Sequence, residues 1–489
     1  MRILAIAALL LFATGARAQE PAKIAAPVAT ATTQHELMLR GQAGKVTATA
    51  GMLRLNDAKS APLADLAFIA FQETGAEAKA RPVTFVFNGG PGAASGWLQL
   101  GAVGPWRVAL DTKNGVPSGS PELLANAESW LDFTDLVFID PPGTGHSRIL
   151  ATADEARRRV WSVDGDIEIL SEAIRRWLDQ ANRSVSPKFI LGESYGGFRG
   201  PRLVRRLQSY EGVGIAGLIL LSPLLDTHEE SGFINPFGWV DRLPSEVAAA
   251  RAAKGPVTRE SVADAEAYAG REYLTDLVRG ERDTAATARM SERVAALTGL
   301  DPALVRRYRG RIDTDVFLHE LGRAEARVAS MYDATQTIAD PFPHRALSNY
   351  PDPTLEGFVA PVTSGMVALI AGKLNWRPDS IYHLSNESAF GAWDWGKGMG
   401  RPQSVGALQM ALALDPGLRV LIAHGLFDLR TPYFTSARIV ASLPDDGLAS
   451  RVRLTVYPGG HMFYARDASR AAFRDDARAL YPAAGLGGK

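Results

Sequence analysis

The 489-residue chain has no cysteine. Disulfides, thiolate catalysis, cysteine-based zinc sites and iron–sulfur clusters are therefore excluded, and stability must come from core burial. It also lacks an excess of charge of either sign, with 53 Lys plus Arg against 53 Asp plus Glu. That balance points away from a nucleic-acid partner and from an acidic disordered chain. No internal repeat and no low-complexity tract occurs beyond a short lead-in. After the N-terminus, no segment reads as long and apolar enough to span a membrane.

The N-terminus itself reads as a processing segment. Arg2 supplies the positive end, Ile3 to Phe12 an apolar stretch, and Ala16-Arg17-Ala18 a small-residue cleavage site. The expectation is a signal peptide over 1–18, cut before Gln19, and a protein exported to the periplasm or the extracellular space. Residues 19–34, rich in Ala, Pro and Thr, read as a flexible lead-in.

Strand signals follow. Lys45–Thr49 and Leu66–Phe71 read as antiparallel neighbours at a sheet edge, and Val83–Phe87 as a buried strand entered at Pro82. Asp135–Asp140 is another, stopped by Pro141-Pro142-Gly143. Asp164–Gln180 carries Ile167, Leu170, Ile174, Trp177 and Leu178 on one face of a helix. Lys188–Leu191 and Leu218–Leu221 are further strands. From about Asp226 the composition turns to Ala, Arg and Glu at helical spacing, with Asp301-Pro302 as a helix start. Strands return at Leu418–Ile422 and Val452–Val456. Strands alternating with helices imply an α/β fold, a mostly parallel sheet with helices on both faces. The divisions are 35–225 and 401–489 for the sheet domain, and 226–400 for a helical cap insertion.

The segment Gly192-Glu193-Ser194-Tyr195-Gly196 is G-x-S-x-G between a strand and a helix. Such a turn lifts a serine hydroxyl out at the top of a sheet. A serine needs a base, and the base needs an orienting acid, in the chain order Ser, acid, His on this scaffold. Asp428 lies just past Leu418–Ile422 and His461 just past Val452–Val456, so Ser194, Asp428 and His461 form the candidate triad. The N–H of Tyr195 is one donor for a developing oxyanion. The glycine-rich loop Asn88-Gly89-Gly90-Pro91-Gly92 after Val83–Phe87 fits as the source of the other. No metal and no organic cofactor is called for. Trp393 and Trp395 read as aromatic packing within the insertion, with the lining of a pocket as the alternative, and Arg202, Arg205 and Arg206 as a solvated helix face.

These motifs together resemble the serine carboxypeptidase family, within the α/β-hydrolases. Asn88–Gly92 matches its substrate-binding loop, Asn126–Trp130 its N-P-x-S-W segment, and Ile139–Ser147 its I-D-Q-P-V-G-T-G-F-S, one residue shorter. Gly192–Gly197, Gly425–Asp428 with Pro432, and Gly459–Met462 match the nucleophile, acid and histidine loops. The resemblance implies Ser194, Asp428 and His461 as catalytic, Gly90 and Tyr195 as oxyanion donors, and Asn88, Gly89 and Glu193 as substrate-binding, with a peptide as substrate. An esterase or acyltransferase with the same triad is the alternative, followed by a non-catalytic binding protein. The chain departs from the family at several points. Ala93 replaces the loop cysteine, His146 an aromatic and Leu426 an acid-loop Asp. Ala102 stands where a second Glu would pair with Glu193 and share its proton. Should a group other than Glu193 recognise the terminal carboxylate, Arg107 and Arg199, near these loops in sequence, are the first candidates, since an arginine fork can bind it directly.

Overall fold

A computed structural model describes residues 26–481, apart from 58, 76–79, 111–117, 119–120, 152–153, 228–234 and 397–401. The expected signal peptide, 1–18, lies outside the described residues. Nine strands make the spine of the sheet: β1 (Ala31–Leu39), β2 (Gln42–Asn56), β3 (Pro62–Glu73), β4 (Val83–Phe87), β5 (Asp135–Ile139), β6 (Lys188–Glu193), β7 (Gly217–Leu221), β8 (Arg419–Gly425) and β9 (Val452–Tyr457). They lie side by side in the order β1-β2-β3-β5-β4-β6-β7-β8-β9. The first three are antiparallel and join β5 antiparallel; from β5 to β9 every pairing is parallel. This is the α/β-hydrolase arrangement that the strand pattern implied.

The parallel strands are apolar because both their faces are covered. All five residues of β4, β5 and β7 are buried. Fully burying each large apolar side chain contributes about 1.5–3 kcal/mol. One core, with Phe71, Phe138, Trp130 and Phe189, fills one side of the sheet. A second, with Phe85, Ile174, Trp177 and Leu220, fills the other under α1 (Val163–Gln180) and α2 (Tyr195–Arg206). The helical stretch adds α3 (Phe237–Ala252), α4 (Thr284–Thr298) and α5 (Leu355–Ala368). Residues of α3 and α4 share a third core with Leu426, Phe427 and Leu429 of the acid loop. Asp301 caps the short helix Pro302–Arg307 by accepting from the Ala303 N–H at 2.6 Å.

Two expectations need correction. The lead-in was read to run to residue 34, but β1 starts at Ala31 and pairs with β2 through Ala31↔Ala50 to Leu39↔Gln42. Its alternation is half-buried against exposed rather than apolar against polar, so Thr32, Gln34 and Glu36 disguised it. The second concerns membrane spans. Leu355–Lys373, α5 with the turn that extends it, is 19 residues at a mean hydropathy of 1.5, long and apolar enough to cross a membrane by length and composition. Here Phe358, Val362, Met366, Leu369 and Ile370 pack into the first core. Its many Gly, Ala, Ser and Thr positions hid the run.

The chain leaves β4 toward β5 on one side, and β6 takes its place on the other. That reversal is a topological switch point, where the loops beyond two neighbouring strands part and leave a crevice. Phe87 pairs with Gly192, so the Asn88 loop and the Ser194 turn emerge at the same level. The turn needs glycine at position 192. A Cβ there would sit 2.1 Å from the Gly196 carbonyl oxygen. Gly192→Ala is expected to destabilise the fold by about 1–3 kcal/mol or more, as overpacking does. Urea denaturation midpoints check this; an unchanged midpoint would mean that the turn relaxes freely.

Candidate active site

Ser194 is half-buried and sits at φ 58°, ψ −119°, a conformation unfavourable for a side chain other than glycine. Its N–H donates to the Leu221 carbonyl at 2.9 Å, which ties the turn to β7. Such strain, of order 1–3 kcal/mol, persists only where surrounding structure holds it. Gly89 presses against the turn from β4: a Cβ on it would lie 2.5 Å from the Tyr195 nitrogen and 2.8 Å from the Ser194 Cβ. Gly90, at φ 96°, comes next. Tyr195 opens α2, so its N–H has no acceptor within the helix. Of the two backbone groups proposed as oxyanion donors, that of Tyr195 follows Ser194 directly, and Gly90 lines both cavities that Ser194 lines.

His461 Nδ1 lies 2.8 Å from Asp428 Oδ2, and both side chains are buried. Burial lowers the His461 pKa, but the Asp428 charge and hydrogen bond, with Glu193 behind them, outweigh it and leave the pKa raised. Asp428 Oδ1 accepts from the N–H groups of Arg430 and Thr431 at 2.8 and 3.0 Å. The histidine loop is held by the His461 N–H donating to the Tyr332 carbonyl at 2.5 Å and by Ser222 Oγ donating to the His461 carbonyl at 2.8 Å. His146 and His424 are elsewhere engaged, with Ser380 and Ser436 at 3.0 and 2.8 Å. Ser194 and His461 line one cavity of about 360 Å³ together with Asn88, Gly89, Gly90 and Glu193. A second cavity of about 460 Å³ reaches Ser194 and Gly90 from the other side, lined also by Asp241, Trp395 and Thr435.

Glu193 is buried. Its Oε1 accepts from the Tyr464 hydroxyl at 3.1 Å, and its Oε2 from the Asn88 amide. Burial pushes its pKa up to about 7, against those two donors and the nearby imidazole of His461. Ala102 is buried on the turn Gln99–Val103, whose carbonyl edge is bracketed by the Asn126 amide donating to the Ala102 and Gly104 carbonyls at 2.9 and 2.8 Å. The Tyr464 ring occupies the space beside that turn, since a Cβ on Gly101 would meet it at 2.6 Å. A hydroxyl therefore supports Glu193 where the sequence lacked a carboxyl.

The remaining motif residues brace the loops. Asp140 accepts from the Ser95 N–H and Oγ at 2.9 and 2.7 Å, which fixes the segment after Gly92. Arg199 makes a buried two-point pair with Asp166 and donates to the Asn88 carbonyl at 2.7 Å. It is consumed as a brace and does not face substrate. Arg107 lies 4.0 Å from Asp467. Trp393 and Trp395 pack edge-on against Tyr195, at 5.3 and 5.5 Å between ring centres, rather than within the insertion. Arg202 is half-buried over Phe198 and donates to Ser404 and the Gln403 carbonyl, so it too is more than a solvated face.

Sequence reasoning missed Thr431. Its Oγ1 lies 2.8 Å from Asp428 Oδ2, 2.9 Å from the Ser222 carbonyl and 3.0 Å from His461 Nδ1. A threonine three residues after an acid carries no signal without the fold.

A family model described as serine carboxypeptidase matches residues 42–272. The pheromone-processing carboxypeptidase KEX1 of Saccharomyces cerevisiae is 29% identical over 199 residues, 39% of this chain and 25% of that protein. Serine carboxypeptidase-like 8 of Arabidopsis thaliana is 26% identical over 176 residues, 33% of this chain and 37% of that one. The matched stretch thus spans well under half the length of these relatives. Among solved structures, a proline iminopeptidase from Mycobacterium smegmatis aligns with 88% of this chain and 97% of its own at 14% identity and a TM-score of 0.37. The resemblance read from the motifs holds over 42–272.

Thr431→Val should slow labelling of Ser194 by a fluorophosphonate about tenfold, the value of one ordinary hydrogen bond. The rate constant of labelling measures it. An unchanged rate would leave Thr431 with no part in holding Asp428 and His461.

Proposed function

We propose that this chain, which carries the serine carboxypeptidase pattern, is an exported enzyme that removes residues from peptide C-termini through an acyl-enzyme on Ser194. One observation carries the reading: His461, held by Asp428, and the Glu193–Asn88 pair line the same cavity as Ser194. His461 Nε2 takes the Ser194 proton as Oγ attacks the scissile carbonyl, while Asp428 holds the ring in the tautomer that leaves Nε2 free. The N–H groups of Gly90 and Tyr195 receive the oxyanion. The imidazolium returns its proton to the departing amine, and water then opens the ester by the same relay. Gly89 lets the backbone come close to the peptide, and Asn88 and Glu193 meet its end. We take 35–225 with 401–489 as the hydrolase domain and 226–400 as its cap, which contributes Met331 and Phe390 to both cavities. The export reading rests on Arg2, Ile3–Phe12 and Ala16-Arg17-Ala18; N-terminal sequencing of secreted protein starting at Gln19 is its test.

Ser194→Ala should lose roughly 10⁴–10⁶-fold in turnover while remaining folded. Near-normal turnover by the purified variant would sink the assignment. Asp428→Asn should lose about 10⁴-fold, because the imidazole is then held in the wrong tautomer.

A second reading, an esterase or acyltransferase, is favoured by Ala102, which removes the partner that lets Glu193 share a proton. The pH dependence separates the two. Glu193 can donate to a terminal carboxylate only while protonated, below about pH 7. His461 must be neutral to act as base, and its raised pKa removes activity on the acid side. Free-acid peptides should therefore show a narrow bell in kcat/KM. Amidated peptides and esters should show a rise alone, with no fall through pH 7. The two groups interact, so the limbs report macroscopic constants of the pair. Ala102→Glu should raise the free-acid to amidated ratio, chiefly at acidic pH. A strong free-acid preference, flat with pH and unchanged in Ala102→Glu, would assign recognition to another group.

A further inference from the structure

We propose that Arg430 is a further residue that receives a substrate carboxylate beside Ser194, in addition to Asn88 and Glu193, a specificity role at the junction of the two cavities. The inference rests on the peptidase reading for its substrate class. Arg430 lies two residues after Asp428, and its own N–H donates to the catalytic carboxylate at 2.8 Å. The preceding Leu429 N–H donates to the Met331 carbonyl at 3.1 Å. The backbone that carries this arginine is thus fixed to the triad at one end and to the helical stretch at the other. Its side chain is exposed, and it lines both the 360 and the 460 Å³ cavities, as Ser194 and Gly90 do.

What singles it out is its lack of a carboxylate. Arg199 is locked on Asp166, Arg438 on Asp241, and Arg466 on Asp333; Arg242 stands 4.0 Å from Glu246. Among the described residues, no carboxylate lies within ion-pair distance of the Arg430 guanidinium. Its near neighbour is the Tyr332 hydroxyl, which is neutral. The charge is close enough to the triad to oppose protonation of His461. The other exposed charge on the smaller cavity is Glu387, which would repel an anion and so favours binding on the Arg430 side.

The spacing suits a peptide end. In removal of a terminal residue, the free carboxylate is one residue beyond the scissile carbonyl, about 3.8 Å along the chain. Its receptor must therefore share a cavity with the nucleophile. A guanidinium offers a planar fork to a carboxylate, and charged hydrogen bonds of this kind contribute about 1.5–3 kcal/mol. Such a group stays charged at every working pH, so it adds a fixed attraction to the hydrogen bond that protonated Glu193 donates. An acidic side chain on the residue ahead of the scissile bond would present the same chemistry from the larger cavity.

The test compares wild type, Arg430→Gln, Arg430→Lys and Arg430→Glu on three peptides of one sequence. The first has a free C-terminus and neutral side chains, the second is its amide, and the third is the amide with Glu ahead of the scissile bond. The ratio of kcat/KM between peptides cancels any effect of the substitution on His461. Arg430→Gln should lower the free-acid to amide ratio about 10–100-fold, mainly through KM, and Arg430→Lys should restore part of it. Arg430→Glu should invert the preference. If the ratio that falls is that of the Glu-containing amide to the plain amide, the carboxylate is a side chain's. Equal losses on all three peptides, or none, would overturn the proposal. Fluorophosphonate labelling tests the reading beneath it. A wild type that labels but cleaves no peptide removes the peptidase assignment alone, and hemisuccinate against butyrate esters then reads Arg430 in the same way.

Discussion

The buried guanidinium of Arg199 is the point on which the site's geometry turns. It belongs to α2, the helix that follows the nucleophile. It grips Asp166 of α1 with two hydrogen bonds and the Asn88 carbonyl of the loop after β4 with a third. Three elements that reach the switch point from different parts of the chain are thereby fixed to one planar group. Removing one partner of such a buried pair typically costs about 3–5 kcal/mol, because the other charge is left uncompensated. The strained turn at Ser194 can persist because its neighbours are held in this way. Gly89 can approach the Tyr195 nitrogen as closely as it does because the Asn88 carbonyl has a fixed donor.

That rigidity sets the electrostatics. Glu193 cannot move away from its buried position, so its charge is penalised and its pKa rises toward neutrality. His461 is buried too, yet Asp428 holds its pKa up. Two groups of opposite charge type, both with raised pKa, line the same cavity as the serine. Tyr464 and Asn88 hold Glu193 in place from either side, and both can donate to it whichever proton state it takes. The hydroxyl of Tyr464 does not titrate in the working range, since burial and Glu193 raise it well above an ordinary phenol. The support under Glu193 is therefore pH-independent, unlike a second carboxyl.

The strands and loops that carry Ser194, Asp428 and His461 were legible because they announce themselves locally. Runs of Val, Ile, Leu and Phe ended by Gly or Pro can hardly be anything else, and the chemistry sits one to four residues past each. What was hidden depends on contacts distant in sequence. Tyr464 meets Glu193 across 271 residues, and nothing about a Tyr after a histidine loop suggests it. Arg199 was a fallback candidate for a carboxylate receptor because it lies near the elbow; only the fold reveals that Asp166 claims it. Trp393 and Trp395 were read as packing within the insertion, yet their partner is Tyr195, nearly 200 residues earlier. The first residues of strand β1, Ala31 to Gln34, escaped notice because an edge ribbon carries no apolar alternation.

The turn after β8 concentrates more function than its length suggests. In the proposed mechanism Asp428 orients the base; Thr431 touches both Asp428 and His461, and Arg430 lines the cavity that holds His461 and Ser194. One carboxylate organises all of this, since its Oδ2 faces His461 while its Oδ1 accepts the N–H groups of Arg430 and Thr431. The proposed acid of the triad is thus also the cap of the loop that positions the cation. Any group that binds at Arg430 is registered against the reacting atoms through two hydrogen bonds and one side chain. A receptor tied to the triad through so few bonds loses little alignment to loop motion, and alignment within an ångström is what a positioned substrate contributes to rate.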